Sequence, residues 1–203
     1  MVSNMTRRRF LQHAACVSAG ASLALQKGAA AAAAPTELPS DALDYGTIGD
    51  IKVSRLLLGG NLLTHFTHRR DLKYVYNLTA HYNTPEKIID TMALAEKNGI
   101  NTLVVHTVPL VMQILKKYRY EQGGKMQWII CPTAPIEPGL AAYTKQIDTL
   151  IEMGVDAIYL WGVRGDQLVS QGKMDLLKQA VDVVKKRNIP SGVGGHDLRV
   201  VSE

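Results

Sequence analysis

Short unbroken apolar runs alternate with amphipathic helical stretches along most of this 203-residue chain, and no other feature restricts its fold as much. The runs are Leu56-Leu57-Leu58, Ile100 to His106, Gln127 to Cys131, Ala157 to Trp161 and Ile189 to Val193. None shows the apolar–polar alternation of a half-solvated strand, so they read as strands of a parallel sheet covered on both faces. Helical stretches separate them. Thr84-Pro85-Glu86 opens one, with Thr as cap, Pro at the first helical position and Glu in the first turn, and Asn98-Gly99 closes it. Others are predicted over Leu110 to Tyr120, Glu137 to Met153 and Met174 to Arg187, with a last one beginning at His196-Asp197. Residues 95–101 and 151–156 echo each other in role: helix end, glycine, buried strand.

Strand–helix repetition at this spacing predicts an α/β protein, the N-terminal part of a (β/α)8 TIM barrel with about five βα units over residues 45–203. The chain stops at Val200-Val201-Ser202-Glu203 without a helix stop signal. Five strands would leave two sheet edges and half a core exposed. The expectation is therefore a truncated sequence, with a complete open α/β sheet as the alternative.

The N-terminus is of another kind. Thr6-Arg7-Arg8-Arg9-Phe10-Leu11-Gln12 precedes a weakly apolar stretch from Ala14 to Leu25 and an alanine tract to Ala34. A basic start, a modest apolar middle and small residues at the exit mark a secretory signal, and the paired arginines before Phe-Leu resemble the twin-arginine consensus. Residues 1–34 are read as that signal and 35–44 as a linker. Export to the periplasm or cell envelope by the twin-arginine translocase follows. The apolar stretch is too short and too rich in Ala and Ser for a stable membrane span.

The same segment explains the charge. The net charge of +5 comes from 23 basic and 18 acidic residues. Arg7, Arg8, Arg9 and Lys27 lie in the signal, which has no Asp or Glu, so 19 basic residues remain against 18 acidic ones. A nucleic-acid partner is excluded on that balance. Beyond the signal Cys131 stands alone, so no intramolecular disulfide forms there.

Tyr45-Gly46-Thr47-Ile48-Gly49 and Lys52 to Gly60 resemble the opening of the aldo-keto reductase superfamily, a hairpin under the barrel and then the first barrel strand. Asn98 to Asn101, Gly154 to Leu160 and Ile189 to Gly194 resemble the family's second, fourth and fifth strands. The resemblance implies a barrel, an NADP cofactor and oxidoreductase chemistry. It also implies an Asp, Tyr, Lys and His at four positions, where this chain has Val104, Pro109, Thr133 and Arg164. The expected site is therefore atypical.

Barrel sites form at strand C-terminal ends. There the sequence offers Asn61, His65, His106, Cys131, Trp161, Arg164, His196 and Asp197. His106, Arg164 and His196 are the candidate catalytic residues, the imidazoles for acid–base work and the guanidinium as a clamp for a carboxylate or phosphate. Asn61 and Trp161 are the candidate substrate contacts, the indole suited to stack on a sugar ring. Each has a plainer role: His106 as a core histidine, His196 or Asp197 as a helix cap, Arg164 as a surface partner of Asp166, Cys131 as core. Gly192-Val193-Gly194-Gly195 can receive a phosphate on backbone amides or simply turn the chain. The long loop Asn61 to Asn83 is read as a lid over a site. An oxidoreductase on a small polar, sugar-like metabolite leads. A hydrolase, lyase or isomerase assisted by a divalent metal on His106 and His196, and a non-catalytic ligand-binding barrel, are the alternatives.

Overall fold

The computed structural model describes residues 43–61, 63–68 and 70–202, all within one of the two units into which the chain divides, Leu38–Glu203. The signal and residues 35–42 lie outside the described residues. The fold opens with a hairpin, β1 (Tyr45–Ile48) and β2 (Ile51–Ser54), whose turn places Gly49 at a left-handed φ of 61°. Five parallel strands follow: β3 (Leu58–Gly59), β4 (Thr102–His106), β5 (Gln127–Cys131), β6 (Ala157–Leu160) and β7 (Ser191–Val193). Their order in the sheet is β3-β4-β5-β6-β7. Each new strand adds beside the last on the same side, the order of a barrel wall. A doubly wound open sheet instead reverses direction at a switch point, and the sheet shows no such reversal.

The helices connect these strands: α1 (Tyr74–Tyr82), α2 (Pro85–Lys97), α3 (Pro109–Lys116), α4 (Ala141–Glu152), α5 (Gly162–Ser170), α6 (Met174–Lys185) and α7 (Arg199–Ser202). Thr84 caps α2 as its sequence predicts, its hydroxyl accepting from the Lys87 amide. Along the strands, Leu103, Val105, Trp128, Ile130, Ile158 and Leu160 join helix residues such as Ile88, Met92, Ile147 and Ala180 in one core. Alternate side chains leave a strand on opposite faces. Val104, His106 and Tyr159 accordingly face away from that core and border hollows at the strand ends. Cover on both faces was expected; the main described core gathers on one, while Ile129, Cys131 and Ala157 at the alternate strand positions are buried as well.

The N-terminal ends of the strands are closed. Asn101 donates from its side chain to the Lys52 carbonyl and accepts from the Ser54 amide, and Gln127 donates to the same Lys52 carbonyl. Tyr45 donates to the Gly99 carbonyl. A Cβ on Gly49 would lie 3.1 Å from Pro190 Cγ, so the hairpin turn rests against the start of β7. Nearby a π-helical turn, Lys117–Glu121, extends α3 and delivers Arg119. The Arg119 guanidinium bonds the Asp156 carboxylate at 2.9 Å, the Met126 carbonyl at 2.7 Å and the Gly154 carbonyl. The hairpin under the sheet is thus as the resemblance implied, and the open end is the C-terminal one.

Several expectations need correction. β3 pairs over two residues only, and Leu56 and Leu57 are exposed because this strand has a single neighbour. The helix predicted from Glu137 begins at Ala141, after a cis Glu137–Pro138 bond. Residues 61–83 are not one loop, since α1 occupies their second half. Helix α5 was not anticipated at all. Its glycines mask it: a Cβ on Gly165 would lie 2.6 Å from the Gly194 carbonyl oxygen, so close packing against the β7 end selects a residue that is poor in helices.

Candidate functional site

A cavity of about 340 Å³ opens at the C-terminal ends of the strands, a volume at the lower end of small-ligand sites. His106, His196, Asn61 and Trp161 all line it. Four of the five residues singled out from sequence therefore meet at one place. β4 ends on His106, opposite Cys131 of β5. Trp161 follows β6 directly, and its carbonyl accepts from the Arg164 and Gly165 amides as α5 begins. Asn61 follows β3, and His196 follows β7 across the Gly194-Gly195 turn. These glycines bring the β7 end against Gly162, whose Cβ would lie 3.2 Å from the Gly195 nitrogen.

Arg164 is elsewhere. It borders a separate hollow of about 50 Å³ with Glu137 and Gln167, and its Nη1 donates to Gln167 Oε1 at 2.9 Å. Its Nε is buried without a partner among the described residues. The pairing with Asp166 considered from sequence does not form; Asp166 pairs with His196 instead, Oδ2 to Nδ1 at 2.6 Å.

Asp166 has a second task. Its Oδ1 accepts from the backbone amides of His196 at 2.8 Å and Asp197 at 3.0 Å. The Asp197 amide first, and then the His196 ring, hold its carboxyl below the usual carboxylate range. The amides that a phosphate would use after Gly192-Val193-Gly194-Gly195 are thus already occupied by a carboxylate. Asp197 acts as the expected cap, accepting from the Arg199 amide and pairing with the Arg199 side chain, which holds its carboxyl down at about 2.

Three further lining residues were not picked out as site residues. Phe66 sits edge-on to His106, ring centroids 5.4 Å apart, and to His68 at 5.6 Å. His68 lies 3.3 Å from the Asn61 amide, so of the two loop histidines it reaches the cavity, while His65 bonds the Asn83 carbonyl. His65 and Arg70 flank this turn at left-handed φ values of 59° and 51°, strain of the kind that persists where surrounding contacts dictate it. Tyr159 lines the wall from β6, and burial with the neighbouring Cys131 keeps its phenol protonated well above the usual range.

Electrostatics sort the remaining candidates. Burial pushes the His106 pKa below its ordinary value, favouring the neutral imidazole. Burial pushes the Cys131 thiol up to about 12, so it stays protonated and behaves as core. Among the described residues no Asp, Glu, Lys or Arg lines the cavity. Among the described residues no three His, Cys, Asp or Glu side chains are placed to hold a metal ion. No described helix is long and apolar enough to cross a membrane.

No family model matches the sequence, and no curated protein is found to be similar to it. Among solved structures, the holo form of an aldo-keto reductase from Bacillus halodurans is similar, with a TM-score of 0.51 at 16% identity. The match covers 76% of this chain and 51% of that one. The fold is aldo-keto-reductase-like. At this identity the likeness speaks for the fold alone, and the chain spans about half the length of the structure it matches.

The NADP that the sequence resemblance implies finds no phosphate partner among the described residues of this cavity. Phosphate recognition needs cations or free backbone amides. Among the described residues no cation lines the cavity, Arg164 borders another hollow, and the amides of His196 and Asp197 donate to Asp166.

Proposed function

We propose that this protein is an exported enzyme that performs imidazole acid–base chemistry on a small, uncharged, sugar-like metabolite. One observation carries the reading: His106, His196, Asn61 and Trp161 line a single cavity, and among the described residues that line it none is an Asp, Glu, Lys or Arg. An uncharged lining suits an uncharged ligand, because an anion entering it would lose hydration without gaining a partner. The faces of Trp161 and Phe66 suit the apolar side of a sugar ring, and Asn61 and His68 suit its hydroxyls. His106, whose burial favours the neutral imidazole, accepts a proton from carbon beside a carbonyl and, as the imidazolium so formed, returns it; His196 lines the same cavity as a second imidazole, an acceptor for a substrate hydroxyl. Arg164 takes no part in this reading. The twin-arginine motif at Arg7-Arg8 supports export through the twin-arginine translocase to the periplasm or cell envelope.

Carbonyl reduction with NADP is the second reading, favoured by the fold. The two separate in one experiment. The mature protein is incubated with neutral aldoses and ketoses in D2O, with and without NADPH, and followed by proton NMR. Proton transfer predicts deuterium entering the substrate carbon without nucleotide. NADPH consumption with no nucleotide-independent exchange would replace this reading with reduction.

A further inference from the structure

The cavity is lined by His68, His106 and His196, and among the described residues His196 alone of these is backed by a carboxylate. We propose that Asp166 is a positioning residue that fixes both the place and the tautomer of His196, leaving Nε2 as the nitrogen offered to the cavity. This rests on the acid–base reading above and adds a residue to it.

Three bonds from one side chain carry the inference. Asp166 Oδ1 accepts from the His196 and Asp197 amides, which fixes the backbone where the chain leaves β7. Asp166 Oδ2 lies 2.6 Å from His196 Nδ1, which fixes the ring. An ionised carboxylate only accepts hydrogen bonds, so the proton of a neutral ring is drawn to Nδ1 and Nε2 is left bare. The carboxylate sits on α5, the helix whose Gly162 and Gly165 admit the close approach of Gly194 and Gly195. Those glycines thereby bring a residue from the end of β7 within reach of one thirty positions earlier. The exposed His196 side chain has little packing to orient it, so the carboxylate supplies the orientation. Such a partner behind a working histidine sets its tautomer and its ring orientation.

The test needs no substrate. Full-length protein labelled with ¹⁵N-histidine is compared with Asp166→Asn at pH 8.5, where an unperturbed imidazole is neutral. The native protein is expected to carry the His196 proton on Nδ1. In Asp166→Asn the side-chain oxygen keeps the two backbone amides while its NH2 faces Nδ1, so the proton is expected to move to Nε2. An Nε2–H ring in the native protein, or the same tautomer in both proteins, overturns the proposal. Where turnover has been established, Asp166→Asn should lower kcat on the order of 10²-fold or more with KM little changed. An Asp166→Asn enzyme with native kcat would overturn the role in catalysis even with the tautomer as expected. A native protein with the expected tautomer and no turnover on any sugar would instead refute the acid–base reading, so the two failures are distinct.

Discussion

The guanidinium of Arg119 lies 3.5 Å from the centre of the Trp128 ring while bonding the Asp156 carboxylate at 2.9 Å. One side chain thus joins the starts of β5 and β6 to the end of α3, at the end of the sheet away from the cavity. Both charged partners are largely buried. Arg119→Met should destabilise the protein by about 2–4 kcal/mol, because it leaves the Asp156 carboxylate with the Trp128 amide but no cation and takes the guanidinium from two carbonyls. Urea unfolding of native and variant protein checks this. Arg119→Lys should recover less than half of the loss, since an ammonium cannot reproduce the planar fork.

Gly49 and Gly46 provide a matched pair in the hairpin. Gly49 has φ of 61° and rests against Pro190, whereas a Cβ on Gly46 meets nothing within 4 Å. Gly49→Ala should cost about 1–2 kcal/mol through the left-handed backbone alone, with the Pro190 contact adding to it. Gly46→Ala should be neutral or slightly stabilising. Thermal melts of the two variants, read side by side, check the contrast.

His106 makes stability depend on pH. Burial lowers its folded-state value below that of the unfolded chain, so the unfolded state binds its proton first as the pH falls. The stability tied to this residue is therefore complete above about pH 6.5 and declines as the pH drops through the unfolded value towards the folded one. In urea titrations between pH 8 and 5, His106→Gln should show a shallower decline than the native protein. A steeper decline would contradict the assignment.

Cys131 should be silent to thiol reagents in the native state. It is fully buried, and its thiol is pushed up to about 12. Ellman's reagent at pH 8 should detect no reaction at Cys131 in folded mature protein and one equivalent after unfolding in urea. Prompt labelling of the folded protein would return Cys131 to the candidate site.

The fold was readable because its strands announce themselves. Ile100 to His106 and Gln127 to Cys131 are too apolar and too β-branched to be anything but buried strands, and their observed bounds lie inside those runs. The placement of His106, Asn61, Trp161 and His196 followed from one rule, that the ends of parallel strands converge. What sequence could not reveal depends on long-range packing. The Asp166–His196 pair joins residues thirty apart, and Asp166 next to Arg164 suggested the wrong partner. The glycines of α5 look like a helix-breaking loop until Gly194 is seen against them. Phe66 and His68 line the cavity from a segment flanked by His65 and Arg70 in left-handed conformation, which their residue types do not advertise.

The central claim is that His106 and His196 serve one uncharged ligand in one cavity. Calorimetric titration of the mature protein, His106→Ala and His196→Ala with neutral monosaccharides and the matching sugar phosphates tests it most directly. The account predicts that a neutral sugar binds, that each substitution weakens the same sugar about tenfold, and that phosphorylation abolishes binding. A sugar phosphate binding more tightly than its neutral parent, or a neutral sugar indifferent to both substitutions, would contradict it.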